Sequence, residues 1–308
     1  MRAMQLKPGP QGLELSPKEM PIPSPGDDEV LVRVYAAGVT PSEVLWSPTT
    51  QHKDGSPRVD AVPGHEFSGV IEAVGSGVTT FSTGDEIYGM SDWFAEGATA
   101  DFCITTPAMI AKKPANLSHV EAATVPIGAL TATQGLLQRA KIQPGERVLI
   151  HGGAGAVGMF AVQVAHQRGA HVIATASTRT LEFVKSLGAA QVLDYTHTRF
   201  ENEVRDIDVV FDTVGGETLD RSWRLLKPGG RLVTIAAEAE TTKDQRAKEA
   251  FLLVVADAGQ LNDIARQLDA GSLKTFVRAV VPFDDAPAAY RGKLSSQLGY
   301  GKTAIAVR

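Results

Sequence analysis

From residue 29 the chain alternates. In EVLVRVYAAGV (29–39), Val30, Val32 and Val34 fall on one side and Leu31, Arg33 and Tyr35 on the other, a strand pattern closed by a glycine turn. FSGVIEAVGSGV (67–78), GDEIYGM (84–90) and DFCITT (101–106) read as further strands, separated by Pro and Gly at short intervals as in a small barrel-like β unit. The character changes near residue 116. In NLSHVEAATVP, Ser118 is an N-cap with Glu121 three residues on, a capping box. ALTATQGLLQRA (129–140) then reads as helix. Beyond it strands at 146–152, 171–176, 190–195, 206–214 and 230–236 alternate with helices at 156–168, 180–188 and 216–226. FLLVVA (251–256) adds a strand and QLNDIARQLDAG (260–271) a helix stopped by Gly271. The end returns to β character in FVRAVVPF (276–283) and KTAIAVR (302–308).

Alternating apolar strands and helices imply a parallel sheet covered on both faces, the doubly wound Rossmann form of an α/β protein. A unit of that kind over 116–271, with β-rich chain on either side, implies that 1–115 and 272–308 build one discontinuous domain. The length, 308 residues, accommodates about two domains.

Hydrophobic residues make up 43% and charged residues 21%, the balance of an ordinary globular protein. A formal net charge of −5 without a dense basic run argues against nucleic acid or an anionic membrane as partner. One cysteine, Cys103, precludes a disulfide within the chain. The start lacks the apolar core of a secretory signal, and no apolar run reaches the about 18 residues of a membrane span. A cytoplasmic location is the expectation.

The strongest chemical signal is HGGAGAVG (151–158). Gly153, Gly155 and Gly158 form G-x-G-x-x-G directly after a strand and before a helix. Small residues there let the backbone turn tightly and approach a pyrophosphate, and the helix N-terminus offers N–H groups to its oxygens. An NAD site commonly carries a carboxylate about 20 residues on, at the end of the second strand. This strand ends ATASTRT, with Ser177, Thr178 and Arg179 in that place, a set suited to the 2′-phosphate of NADPH.

These residues, with PGHEFSGVIEAVGSGVTTFSTGDEIYG (63–89), ALTATQGL (129–136), SLGAAQVLDY (186–195), FDTVGG (211–216) and LLKPGGRLV (225–233), resemble the medium-chain dehydrogenases/reductases, closest to their zinc-independent quinone oxidoreductases. The resemblance spans essentially the whole chain. It implies a GroES-like catalytic domain beside the Rossmann domain, and a cofactor lined by Thr131, Gly155, Ala156, Val157, Ser177, Arg179 and Tyr195. Val214, Gly215, Ile235 and Ala236 would follow the ribose toward the nicotinamide. Gly301 and Lys302 resemble the family's closing Gly-Lys, which puts Lys302 among the cofactor residues. A homodimer is implied, with 251–256 as the candidate edge.

Relatives that oxidise alcohols hold zinc with Cys and His. Here Thr40 stands at the first ligand position, and only His65 and its neighbour Glu66 match, too few donors for a tetrahedral site. No metal is expected. Without a Lewis acid the accessible chemistry is hydride delivery to an acceptor that is already electrophilic, a quinone or an activated alkene. Quinone reductases typically show Asn-Pro-x-Asp where this chain has Thr40-Pro41-Ser42-Glu43. Thr40 would then donate to a substrate oxygen, Glu43 would orient the local backbone, and His65 would be structural or line the site. The expectation is an NADPH-dependent reductase of quinones. The alternatives are an enone or 2-alkenal reductase and an NADPH-binding structural or regulatory protein with little turnover.

Overall fold

A computed structural model describes residues 1–9, 12–292, 294 and 299–308. The chain divides into two compact units: Met1–Ile127 with Ala256–Leu298 and Lys302–Arg308, and Gly128–Val255 with Gly299–Gly301.

The first unit opens with an antiparallel hairpin of β1 (Arg2–Gly9) and β2 (Gly12–Glu19), which no sequence pattern announced. Its main sheet combines β3 (Val30–Gly38), β4 (Glu66–Val74), β5 (Glu86–Met90), β6 (Phe102–Thr105), β7 (Ile110–Lys112), β13 (Val277–Pro282) and β14 (Lys302–Ala306). The order is β13-β14-β3-β4-β5-β7, with β6 paired to β3. The expected strands form, shortened where glycine turns begin. Val30, Val32 and Val34 turn into the core with Phe67, Ile71 and Ile87, as the alternation requires. Cys103 lies in that core opposite Val32, and burial pushes its thiol up, away from reactivity.

The second unit holds a parallel sheet, β10-β9-β8-β11-β12, of β8 (Arg147–Ile150), β9 (His171–Ala176), β10 (Gln191–Asp194), β11 (Ile207–Asp212) and β12 (Leu226–Thr234). Helix α1 (Pro126–Thr133) leads in from the first unit, and α2 (Gly158–Gln167), α3 (Leu181–Ser186) and α4 (Gly216–Ser222) connect the strands. The helix expected over 129–140 continues past α1 as a π-helical stretch, Gln134–Arg139. There Gly135 meets the Phe211 ring so closely that a Cβ would sit 2.3 Å from it.

Three expectations are revised. The Ser118–Glu121 capping box forms, but the helix it opens, His119–Ala122, belongs to the first unit. Helix α5 (Ala258–Asp269) also belongs there rather than to the nucleotide-binding unit. Its apolar face, Leu261, Ile264 and Leu268, is buried; Tyr88 donates to the Leu261 carbonyl at 2.6 Å, and Asn116 to the Leu268 carbonyl at 3.0 Å. Burial of that stripe, worth about 2 kcal/mol per large side chain, outweighs sequence proximity to β12. The strand expected at 251–256 is reduced to an isolated bridge of Phe251 to Thr234, and the Val255 N–H and carbonyl bond the Gln134 side chain instead.

Candidate functional site

In the nucleotide-binding unit, β8 delivers the chain into the glycine turn. Gly152 takes φ +73°, its N–H donates to Thr175 Oγ1 at 3.1 Å, and the Gly153 N–H donates to the Thr175 carbonyl at 2.9 Å. These bonds tie the turn to β9. At Gly158, a Cβ would lie 2.0 Å from the Gly152 carbonyl, so only glycine permits the chain to re-enter α2 there. At Gly155 a Cβ would meet that carbonyl alone, at 3.2 Å, and otherwise open space. That leaves the open side of the turn for a pyrophosphate, beside the Ala156 and Val157 backbone at the N-terminus of α2, while the Met159 and Phe160 N–H groups already bond the Gly155 and Val157 carbonyls. Gly128 of α1 abuts the Ala156 carbonyl, and Thr131 is buried one turn on. The Gly301 N–H reaches back to the Ala154 carbonyl at 3.1 Å, and Tyr300 stacks on Phe183 with ring centroids 3.7 Å apart.

At the end of β9, the Ser177 and Thr180 hydroxyls lie 3.1 Å apart. Arg179 is exposed, and among the described residues it joins no ion pair. Tyr195, 59% exposed, follows β10, its N–H on the Ala176 carbonyl. Asp194, which the sequence reading passed over, is the nearby carboxylate. It accepts from Thr178 at 2.6 Å and from Thr196, and these hydrogen bonds hold its carboxyl well below the usual range.

Past β11, Asp212 also went unnoticed in the sequence. Its buried carboxylate accepts from the N–H groups of Val214 (3.1 Å) and Gly215 (3.1 Å) and from the Thr234 hydroxyl (2.8 Å). Burial pushes its carboxyl up, against those hydrogen bonds. It thereby fixes the loop that presents Val214, 53% exposed, and joins it to the segment of Ile235 and Ala236, whose N–H groups bond the Asp212 carbonyl and Thr234 Oγ1. Gly215 sits at φ +79°, where a Cβ would strike Glu238 and Ala236.

In the first unit, a polar cluster gathers below Thr40. The 3-10 turn Pro41–Leu45 carries Glu43, whose N–H donates to the Thr40 carbonyl. Glu43 Oε1 accepts from the Gly64 N–H at 2.6 Å and lies 2.5 Å from His65 Nδ1, so it orients the local backbone as expected. His65 is 1% exposed and packs against Trp93 at 5.3 Å between ring centroids. Glu66 accepts from the Ile127 N–H and forms an ion pair with Lys302; burial pushes its carboxyl up, and Lys302 opposes this. Lys302, 3% exposed, also donates to Thr40 Oγ1 at 3.1 Å. Its ammonium is paired with Glu66 and Thr40 in the first unit, where the buried carboxylate offsets its charge. Gly38 makes room for this arrangement: a Cβ would lie 2.6 Å from Glu66.

The donors do not fit zinc. Of the positions that match zinc ligands, His65 supplies one imidazole, Glu66 is paired with a lysine, and Thr40 is a weak ligand, short of the three protein donors a tetrahedral site needs. Among the described residues no group of three or more His, Cys, Asp or Glu side chains is gathered that could hold a metal ion.

Residues 26–115 match the model of an alcohol dehydrogenase GroES-like domain, and 187–305 that of a zinc-binding dehydrogenase. The 2-methylene-furan-3-one reductase of Solanum lycopersicum is 34% identical over 272 residues, covering 85% of this chain and 67% of that protein. The chain belongs to the medium-chain dehydrogenase/reductase superfamily. Within it, the chain is quinone oxidoreductase-like. Human quinone oxidoreductase is 27% identical over 96% of this chain and 93% of its own, and the quinone oxidoreductase structure from Coxiella burnetii superposes with a TM-score of 0.88 at 28% identity, covering 100% and 99%. This superfamily member is an oxidoreductase that takes a nicotinamide cofactor.

Proposed function

We propose that the chain is an NADPH-dependent, zinc-independent reductase of quinones. The observation that carries the cofactor choice is the end of β9. Arg179 stands there exposed, with Ser177 beside it, so a dianionic 2′-phosphate gains a charge-assisted donor. Asp194, the neighbouring carboxylate, is occupied by Thr178 and Thr196. A bound reduced nicotinamide would supply the hydride. The protein's own part is to seat the pyrophosphate at Gly153–Gly158, to hold Thr131, Tyr195, Val214, Gly215, Ile235 and Ala236 along the cofactor, and to offer Thr40 to the acceptor oxygen. Buried Glu43 and His65 hold the floor beneath Thr40. The donor set, with a single imidazole and no cysteine at these positions, supports zinc independence.

A second acceptor class has support of its own. Two relatives with identities of 34% and 33% are named 2-methylene-furan-3-one reductase and NADPH-dependent alkenal/one oxidoreductase. Loss of reduced-nicotinamide absorbance with a benzoquinone, a naphthoquinone, a 2-alkenal and a cyclic enone separates the readings by product: hydroquinone against saturated carbonyl. Tight NADPH binding with no turnover of any of them would leave a binding protein instead.

Arg179→Ala is expected to weaken NADPH by about 10- to 100-fold, the loss of one charge-assisted contact, and to leave NADH within about twofold. Isothermal titration with both cofactors checks this, and equal losses would remove Arg179 from the 2′-phosphate.

We propose further that two copies associate through the segment 251–256. Leu253 is 42% and Val255 61% exposed there, two large apolar side chains on one short stretch. Sedimentation of the wild type should give a dimer and Val255→Lys a monomer; a monomeric wild type would sink the idea. No helix among the described residues is long and apolar enough to cross a membrane.

A further inference from the structure

The geometry points to a proton relay in which Lys302 feeds the Thr40 hydroxyl, and Thr40 protonates the reduced acceptor. This rests on the reading of the chain as a carbonyl- or quinone-directed reductase and supplies the proton that reading leaves unassigned.

Three observations carry it. Lys302 is 3% exposed, yet its ammonium donates to Thr40 Oγ1 at 3.1 Å as well as pairing with Glu66, itself fully buried. Thr40 is the one partly exposed member of the chain Glu66–Lys302–Thr40, so a proton leaving the ammonium along these contacts emerges at its oxygen. Third, that oxygen already accepts from Lys302, and among the described residues the Thr40 hydroxyl has no acceptor of its own. Its hydrogen is therefore free to point at a ligand. The backbone fixes this orientation on both sides: the Val39 N–H bonds the Thr303 carbonyl, next to Lys302, and the Pro41–Leu45 turn begins at Thr40.

The step balances. The acceptor would take a hydride, one proton with two electrons, from a bound reduced nicotinamide, which would be oxidised, and would be left as an oxyanion. The Thr40 O–H bond breaks as an O–H bond forms on that oxyanion. A Lys302 N–H bond breaks as the Thr40 hydroxyl is remade, and the neutral amine later regains its proton from water along the same path, through the partly exposed Thr40 hydroxyl. Thr40 is the catalytic residue, since it touches the acceptor; Lys302 acts through it, and Glu66 positions Lys302.

The test compares wild type, Thr40→Val, Thr40→Ser and the double variant Lys302→Met/Glu66→Gln, which removes the buried cation without stranding its partner. Steady-state rates are measured in H2O and D2O with whichever acceptor the wild type reduces, after circular dichroism and NADPH titration show each variant folded and cofactor-competent. Thr40→Val should lower kcat about 100-fold, the low end for general acid catalysis, with KM within about threefold, while Thr40→Ser stays within about fivefold of wild type. The double variant should also lose kcat and show a larger solvent isotope effect than wild type, because proton delivery becomes limiting. A packing role would change stability or KM and leave that isotope effect alone. Wild-type kcat in Thr40→Val, or an unchanged solvent isotope effect in the double variant, would overturn the relay while wild-type turnover keeps the reductase reading intact. A wild type inert to every acceptor overturns both. Should the double variant fail to fold, Lys302→Arg, which keeps the buried cation but cannot give up a proton, takes its place and should lower kcat and enlarge the solvent isotope effect; wild-type values in it would overturn the relay.

Discussion

Gly155→Val should leave the protein folded and weaken nicotinamide-cofactor binding at least about 100-fold, close to 3 kcal/mol. The expectation follows from what a side chain would meet. Gly155 is not among the residues with positive φ, so an L residue is compatible with its backbone, and its Cβ would meet only the Gly152 carbonyl at 3.2 Å. The rest of the valine would fill the open side of the turn, where the backbone has to approach a pyrophosphate. Gly158, three residues on, behaves oppositely. A Cβ there lies 2.0 Å from the Gly152 carbonyl, and backbone on both sides cannot yield, so Gly158→Val should fail to fold. Thermal unfolding followed by circular dichroism, together with NADPH titration, separates the two. A folded Gly155→Val that binds NADPH like the wild type would move the pyrophosphate away from this turn.

That contrast also shows where a sequence speaks and where it does not. The glycine pattern was legible because its reasons are local: a turn of seven residues between a strand and a helix leaves little room for alternatives. The strands at Val30–Gly38 and Ile207–Asp212 were legible because a period of two, or an apolar run, survives any tertiary arrangement. The 251–256 segment has the same apolar signature without the structure, since a strand also needs a ladder, and residue types do not reveal that the Gln134 side chain bonds its backbone instead. Helix α5 was legible as a helix but not as part of the first unit. Its amphipathic stripe says that it buries a face, while the partner is set by Tyr88 and Asn116, far away in the chain.

The candidate site divides the same way. Thr40, Glu43 and His65 were legible by position, and the structure gathers them; that Lys302 would join them through Glu66 was not, because a buried ion pair between distant residues leaves no periodic trace. Asp212 and Asp194 were hidden for a related reason. An aspartate at a strand end reads as a turn residue, and only the donors around it reveal an anchor.

His151 is the clearest case of a polar residue whose role lies in its surroundings, and it gives a second large expected effect. Read in the sequence as part of the 146–152 strand and given no role, it is 0% exposed, edge-on to Phe200, with Nε2 2.9 Å from Ser222 Oγ and Nδ1 3.3 Å from Thr175 Oγ1. Ser222 spends its own proton on the Thr218 carbonyl, so it must accept from Nε2–H; Thr175 accepts from the Gly152 N–H and so can donate to Nδ1. The neutral ring is thus fully bonded. Burial, with Arg221 adding to it and Glu201 opposing, pushes its pKa from 6.5 down to about 3. A folded pKa below the unfolded one means that the unfolded chain binds the extra proton. The stabilisation is therefore complete above pH 6.5 and is lost as pH falls toward about 3. At 1.36 kcal/mol per pH unit, the loss between pH 6.5 and 4.5 is about 2–3 kcal/mol. That window lies above the titration of the carboxylates held low in the fold, such as Glu146 and Asp208, which add their own loss only at lower pH. His119, also pushed down by burial, contributes with the same sign, so the measurement needs a comparison. Urea unfolding of wild type and His151→Gln at pH 7, 6, 5 and 4.5 provides it. The variant should be less stable at pH 7, with a visibly shallower fall toward pH 4.5. Parallel falls in both proteins would mean that His151 titrates in the folded state much as it does in the unfolded chain, and that the glycine turn is not anchored on a neutral imidazole.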